Sequence, residues 1–176
     1  MATTLLMKRA IADKLIALMK AEPNLNGVNL FVRGPAPMPP PLNLYPFSEV
    51  IVASEADEDE MTGRTFGNQY SGIITFSAQL ASAGSGDWLE PIVDRVLTLP
   101  SYDQIEELVE AAKLKLRQLA YGDLEGLAVT DGAASEVVQS FSLDEPRTFG
   151  LDKDERTNTF ENFGVIPFSV QTLIAY

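Results

Sequence analysis

The stretch Tyr70-Ser71-Gly72-Ile73-Ile74-Thr75-Phe76-Ser77-Ala78-Gln79-Leu80 decides the fold class. Along an extended chain, Ile74, Phe76, Ala78 and Leu80 fall on one side, and Ile73, Thr75, Ser77 and Gln79 on the other. One apolar side and one mostly polar side, alternating with a period of two, is the pattern of a strand that covers a core with a single face. Working back from it, Glu49 to Glu55, centred on Val50, Ile51, Val52 and Ala53, reads as a second strand. The acidic segment 56–69 then becomes the long tip of a hairpin. A short strand, Val28 to Arg33, precedes it after the turn residues Asn26-Gly27. Towards the other end, Ser135 to Leu143 reads as a strand with Val137, Phe141 and Leu143 inward. Gly164 to Ala175 reads as the last strand, with Ile166, Phe168, Val170 and Ile174 inward. Pro167 lacks an N–H, which predicts an edge position or a bulge there. Between these strands, Asp144 to Phe163 reads as a polar loop.

Three segments carry helical spacing. In residues 4–21, Leu5, Ile11, Leu15, Leu18 and Met19 make one stripe, with Thr3 or Thr4 as N-cap and Pro23 as the stop. Asp87 with Glu90 forms a capping box for a second helix, whose apolar side is Trp88, Ile92, Val93, Val96 and Leu97 and which Pro100 ends. Ser101 with Gln104 opens a third helix that runs to about Ala120, with Ile105, Leu108, Val109, Ala112, Leu116 and Leu119 on one stripe. Its acids come early and its bases late, which suits the helix dipole, and Gly122 is the natural C-terminal cap. The order is helix, strand, hairpin, helix pair, hairpin. That predicts an α+β fold: an antiparallel or mixed β-sheet of about five strands with helices packed on one face, in a single domain over 1–176. Gly34 to Pro46 is a proline-rich connection. Pro37 and Pro40 form a P-x-x-P, but no Arg or Lys flanks it, so it reads as a stiff link rather than a ligand for an SH3-type groove.

Composition removes whole classes of function. With 45% apolar residues in 176, the chain can build a core. It has no Cys and no His, which excludes thiol nucleophiles, Cys/His zinc sites, disulfides and Ser-His-Asp triads. The net charge of −12 is the wrong sign for a protein that grips phosphates. The N-terminus is no signal peptide, since Asp13 interrupts the apolar region, and no run of eighteen apolar residues suggests a membrane span. Calcium loops started at Asp57 or at Asp152 miss the required Gly and the final Glu. The acids lack the setting of a glycosidase pair, and Gly84-Ser85-Gly86 lacks both the G-x-S-x-G spacing and a base. No Walker or dinucleotide-binding motif is present. The expectation is a chain with no enzymatic activity, no cofactor and no metal.

The order of elements resembles that of phage tail-terminator proteins over nearly the whole chain. The resemblance rests on Ile11-Ala12-Asp13-Lys14-Leu15 in the first helix, the loop ending Leu44-Tyr45-Pro46-Phe47 and the strand Glu49-Val50-Ile51-Val52. It continues with the charged tip Asp57-Glu58-Asp59-Glu60, with Gly72-Ile73-Ile74-Thr75-Phe76, and with Gly164-Val165-Ile166-Pro167-Phe168-Ser169-Val170. The resemblance implies a homohexameric ring in the virion, at the head-proximal end of the tail and assembled in the host cytoplasm. Such a ring stops tube polymerisation and joins the tail to the head. Its partners would be further copies of itself, the tail-tube protein and the neck or connector proteins, with DNA passing through without tight binding. The loops 34–48 and 144–163 are long for this pattern, which leaves open a neck, head-completion or tail-tube role. An acidic accessory or inhibitor protein that binds a basic partner is the competing class.

Six copies at −12 each would carry −72 before counterion screening, a lining that repels DNA rather than holding it. Candidate interaction residues are therefore Asp57, Glu58, Asp59 and Glu60, for the channel or a basic partner, with Arg64, Arg147, Lys153 and Arg156 on the long loops. Loops 56–69 and 144–163 are expected to be mobile in the free subunit and to order on partners. The uncharged segment Asn162 to Tyr176 is expected to offer an edge strand to neighbouring copies.

Overall fold

The computed structural model of the protein describes residues 2–35, 40–54, 58–62, 65–82, 100–120, 122–132, 134–154 and 159–175. Its elements are α1 (Ala2–Lys20), β1 (Leu30–Arg33), β2 (Phe47–Ser54), β3 (Glu58–Thr62), β4 (Thr65–Ser82), α2 (Pro100–Arg117), β5 (Ala128–Asp131), β6 (Ala134–Leu143), β7 (Arg147–Asp154) and β8 (Thr159–Ala175). The eight strands among the described residues form one mixed sheet in the order β1-β2-β4-β8-β6-β5, with β3 on β4 and β7 on β8. Only β1 and β2 run parallel. The α+β class holds, with more strands than the five expected. The helix expected from Asp87 lies outside the described residues.

β4 and β8 form the spine. They pair from Thr65↔Ala175 to Ser82↔Thr159, and shorter strands flank them. On the far side of β4, β2 and β3 occupy one strand position in two pieces. On the far side of β8, β6 and β7 do the same. The segments expected as loops at 56–69 and 144–163 are thus largely strand. Their polar residues alternate without an apolar side, so the period of two carries no hydrophobic signal there.

Helix α1 touches β1 and β2 and also β5 and β6, which lie at opposite ends of the strand order. In a flat sheet these strands would stand about 20 Å apart at the usual spacing, twice the width of a helix. The sheet therefore curls around α1. Met7, Ile11, Leu15 and Met19, four residues apart, are all fully buried in its hollow, each contributing about 1.5–3 kcal/mol. Leu5, expected on that stripe, is instead 52% exposed. It lies two residues from Met7 and so points to a different side of the helix, and α1 begins at Ala2, so Thr3 and Thr4 lie inside the first turn rather than capping it. Similarly, α2 starts at Pro100, which places Ser101 within the helix; proline suits a first helical position.

The inner face of the sheet alternates as the sequence predicts: Tyr70, Ile74, Phe76 and Ala78 on β4, and Ile166, Phe168, Val170 and Ile174 on β8. α2 packs onto it with Ile105, Leu108, Val109, Ala112 and Leu116. The approach is close at Gly164, where an added Cβ would stand 2.3 Å from Val109 Cγ2.

Two expectations about strands change. In β6 the pairing passes from Val138↔Thr172 to Ser140↔Gln171, so Gln139 is an extra, exposed residue. This bulge reverses the alternation: Glu136 and Val138 are inward before it, Phe141 and Leu143 after it, and Val137 is not part of the buried core. In addition, β8 is an interior strand, paired on both sides over most of its length, so the expected free edge is absent from Asn162 to Ala175; among the described residues the strands paired on one side only are β1, β3, β5 and β7. Pro167 is accommodated by neither an edge nor a bulge. An N–H and a C=O of the same strand residue point the same way. The Pro167 carbonyl accepts from the Asp144 N–H at 3.0 Å, in the break between β6 and β7. The missing N–H falls in that break.

Candidate functional site

The two hairpin ends of the spine point in opposite directions. Thr62 pairs with Thr65, and Thr65 with Ala175, at one end of the β4–β8 pair. Asp154 pairs with Thr159, and Thr159 with Ser82, at the other. With 17 residues in β8, the ends are about 55 Å apart at the rise of an extended strand.

The predicted interaction residues divide accordingly. Glu58, Asp59 and Glu60 are on β3, at the first end. Lys153 is on β7 opposite Phe160, near the second. Arg147 starts β7, opposite Val165, and is exposed. Asp57, Arg64 and Arg156 lie outside the described residues. The candidates therefore do not form one site: the acids belong to one end of the molecule, and Arg147 with Lys153 to the half nearer the other.

Between the ends, the described side chains on the sheet face turned away from the helices are mostly uncharged. Their rows follow from the register. Ser71, Ser169 and Ser142 lie side by side, with the Ser142 and Ser169 hydroxyls 2.7 Å apart. Gln69 and Gln171 adjoin them, and the Ser140 hydroxyl donates to Gln171 Oε1 at 3.3 Å. Ile51, Ile73 and Pro167 form another row. Among the described side chains of β2, β4, β6, β7 and β8, Glu49 and Arg147 are the charged groups on this face. Depletion of charge is the composition of a protein contact surface.

A groove of about 280 Å³ opens between the end of α2, the segment that follows it, and β6. Leu116, Leu119, Ala120, Leu124, Phe141 and Leu143 line it, with Arg117 and Glu125 at its rim. Local bonds hold its wall. The Asp123 carboxylate accepts from the Ala120 N–H at 2.8 Å, and Gly126 and Leu127 exchange backbone bonds with Val138 beside the bulge. Gly122 and Gly126 take positive φ, which lets the wall turn twice around the buried Leu124.

One buried polar cluster escaped the sequence reading. Glu136 is fully buried on the inner face. Its Oε1 accepts from Tyr70 Oη at 2.7 Å, Thr172 Oγ1 at 2.6 Å and Asn68 Nδ2 at 3.1 Å, so one carboxylate ties β6 to β8 and β4. The signal in the sequence was an acid at the same parity as Val138; assigning Val137 inward hid it. Among the described residues, no group of three His, Cys, Asp or Glu is placed to hold a metal. No helix among them is long and apolar enough to cross a membrane.

No protein-family model matches the chain, and no curated protein matches it. Among solved structures, one chain is similar over 98% of this chain and 96% of its own length, at 11% identity and a TM-score of 0.38. Another, from a structure titled "Virion of native gene transfer agent (GTA) particle", is similar over 93% of both chains, at 12% identity and a TM-score of 0.37. Likeness at this level fixes neither fold nor activity.

Proposed function

We propose that this chain is a structural virion protein: a ring subunit of the tail-terminator kind that caps a phage tail tube, ends its polymerisation and gives the neck or head its joining surface. The observation that carries this reading is the long antiparallel spine of β4 and β8, which sets two hairpin ends of different sequence about 55 Å apart, since a cap must meet different partners on its two sides. The mostly uncharged described side chains on the outer face of the sheet support it, as a surface for contacts between proteins. The charge of −12 per copy suits a ring through which DNA slides. The role involves no catalysis and no cofactor. The protein would reside in the tail or neck of the virion, having assembled in the host cytoplasm.

The test is electron microscopy of tails made with and without the chain. Tubes of uniform length with a ring at one end are expected when it is present, and overlong tubes without heads when it is absent. Tubes of normal length, joined to heads in its absence, would overturn the reading.

A further inference from the structure

The charge of the chain is unevenly placed. Helix α1 carries Lys8, Arg9, Lys14 and Lys20 against Asp13, a net of 4 − 1 = +3. The remainder of the chain therefore carries −12 − 3 = −15. Asp13 is already engaged by Arg33, whose Nη1 stands 2.9 Å from its Oδ2. At the basic N-terminal end of α1, Leu5 and Leu6 are 52% and 41% exposed, although the rest of the helix buries its large apolar residues efficiently.

The groove beside α2 has the complementary character. Its floor is apolar; Glu125 and Arg117 line it, Asp123 and Asp144 adjoin the lining residues Leu124 and Leu143 in sequence, and Glu145 pairs with Arg117. The nearby bases are engaged: Arg117 Nη2 lies 3.2 Å from Glu145 Oε1, and Lys113 Nζ 3.2 Å from Glu110 Oε1. A patch of two leucines with adjacent cations thus has its counterpart, an apolar groove with an acidic rim, elsewhere on the same surface.

We infer that Leu5 and Leu6 of one copy seat in the groove lined by Leu119, Leu124 and Phe141 of the next copy, with Lys8 and Arg9 meeting its acidic rim. The inference rests on the ring reading and supplies its subunit contact. Two different surfaces meet in it, so the contact is head-to-tail, the kind that generates closed rings when the rotation closes. Apolar anchors that fill a pocket carry most of the energy of such contacts, and rim charges add specificity and rate.

The test uses the full chain and native mass spectrometry across a concentration series. Two variants each remove one side: Leu5→Asp with Leu6→Asp, and Ala120→Trp, which fills the groove from an exposed position. Each should raise the concentration needed for assembly by roughly tenfold or more. Circular dichroism and thermal unfolding of the separated subunits should match the wild type, because all three positions are at the surface. Mixed together, the variants keep one intact pair of surfaces, groove from the first and leucines from the second. The mixture should give a one-to-one heterodimer and nothing larger. A salt series should weaken wild-type assembly, and Arg9→Glu should do so at low salt. Rings that persist in both variants would overturn this contact while leaving the ring reading intact. A wild-type chain that stays monomeric at every concentration would overturn the contact too, and the tail-length experiment would still decide the function.

Discussion

Replacing Glu136 measures how far the sheet depends on one carboxylate. Glu136→Ala removes an acceptor that three donors share, at 2.6, 2.7 and 3.1 Å, in a fully buried site. A hydrogen bond to a charged group contributes about 1.5–3 kcal/mol, and the three are not additive because they converge on one oxygen. The hydroxyls of Tyr70 and Thr172 lose this acceptor, and a cavity forms. Breaking a buried network of this kind costs about 3–5 kcal/mol. In a chain of this length that lowers the melting temperature by about 8–16 °C. Glu136→Gln keeps an acceptor oxygen where Oε1 stands and should cost about 1–2 kcal/mol. The assay is urea unfolding of both variants with Tyr70→Phe and the two doubles as a cycle. Coupling between Glu136 and Tyr70 should exceed about 1 kcal/mol. An Ala variant within about 0.5 kcal/mol of the wild type, or a Gln variant as damaged as Ala, would refute the reasoning.

Other outcomes follow from single contacts. Gly164→Ala should destabilise by about 1–3 kcal/mol, because its Cβ meets Val109 at 2.3 Å, and Val109→Ala in the same chain should recover most of that loss in thermal unfolding. Gly72→Ala should be harder to rescue, since one of its contacts is the Ile51 carbonyl oxygen at 2.6 Å, which belongs to the backbone. Arg33→Ala should cost at most about 1 kcal/mol by urea unfolding, because its pair with Asp13 is well exposed. Charge reversal of Asp57, Glu58, Asp59 and Glu60 to Lys should leave secondary structure intact by circular dichroism. If these acids face the channel, the reversed protein gains salt-sensitive DNA binding; unchanged binding would assign them to a protein partner or to solvent.

Where burial and period coincide, the sequence was readable residue by residue. Ile74, Phe76 and Ala78 face the core as their alternation requires, as do Ile166, Phe168, Val170 and Ile174. The helices at α1 and α2 follow from the same logic. What could not be read is where burial departs from local pattern. β3 and β7 are polar strands held by pairing to a long neighbour, and pairing leaves no mark on the composition of either partner. The bulge at Gln139 shifts the parity of β6 by one residue, and a single shift is enough to turn Glu136 from a surface acid into a core one. Pro167 signalled a lost hydrogen bond but not which of three devices would absorb it. As for the candidate site, the acids and bases were visible as charge, whereas their separation to opposite ends depends on β4 and β8 being antiparallel over their full length. The groove needed the fold, because Leu124 and Phe141 are far apart in sequence and meet only across the turn held by Gly126 and Val138.

The antiparallel spine also has a mechanical meaning. β4 begins at one end of the molecule and β8 begins at the other. A pull applied between the two tips therefore draws the strands past each other along their length. Every rung of the ladder then resists at once, and no end is available from which to peel the strands apart one bond at a time. A sheet loaded this way is stiff along its axis, so tension reaching one tip is delivered to the other with little stretching between.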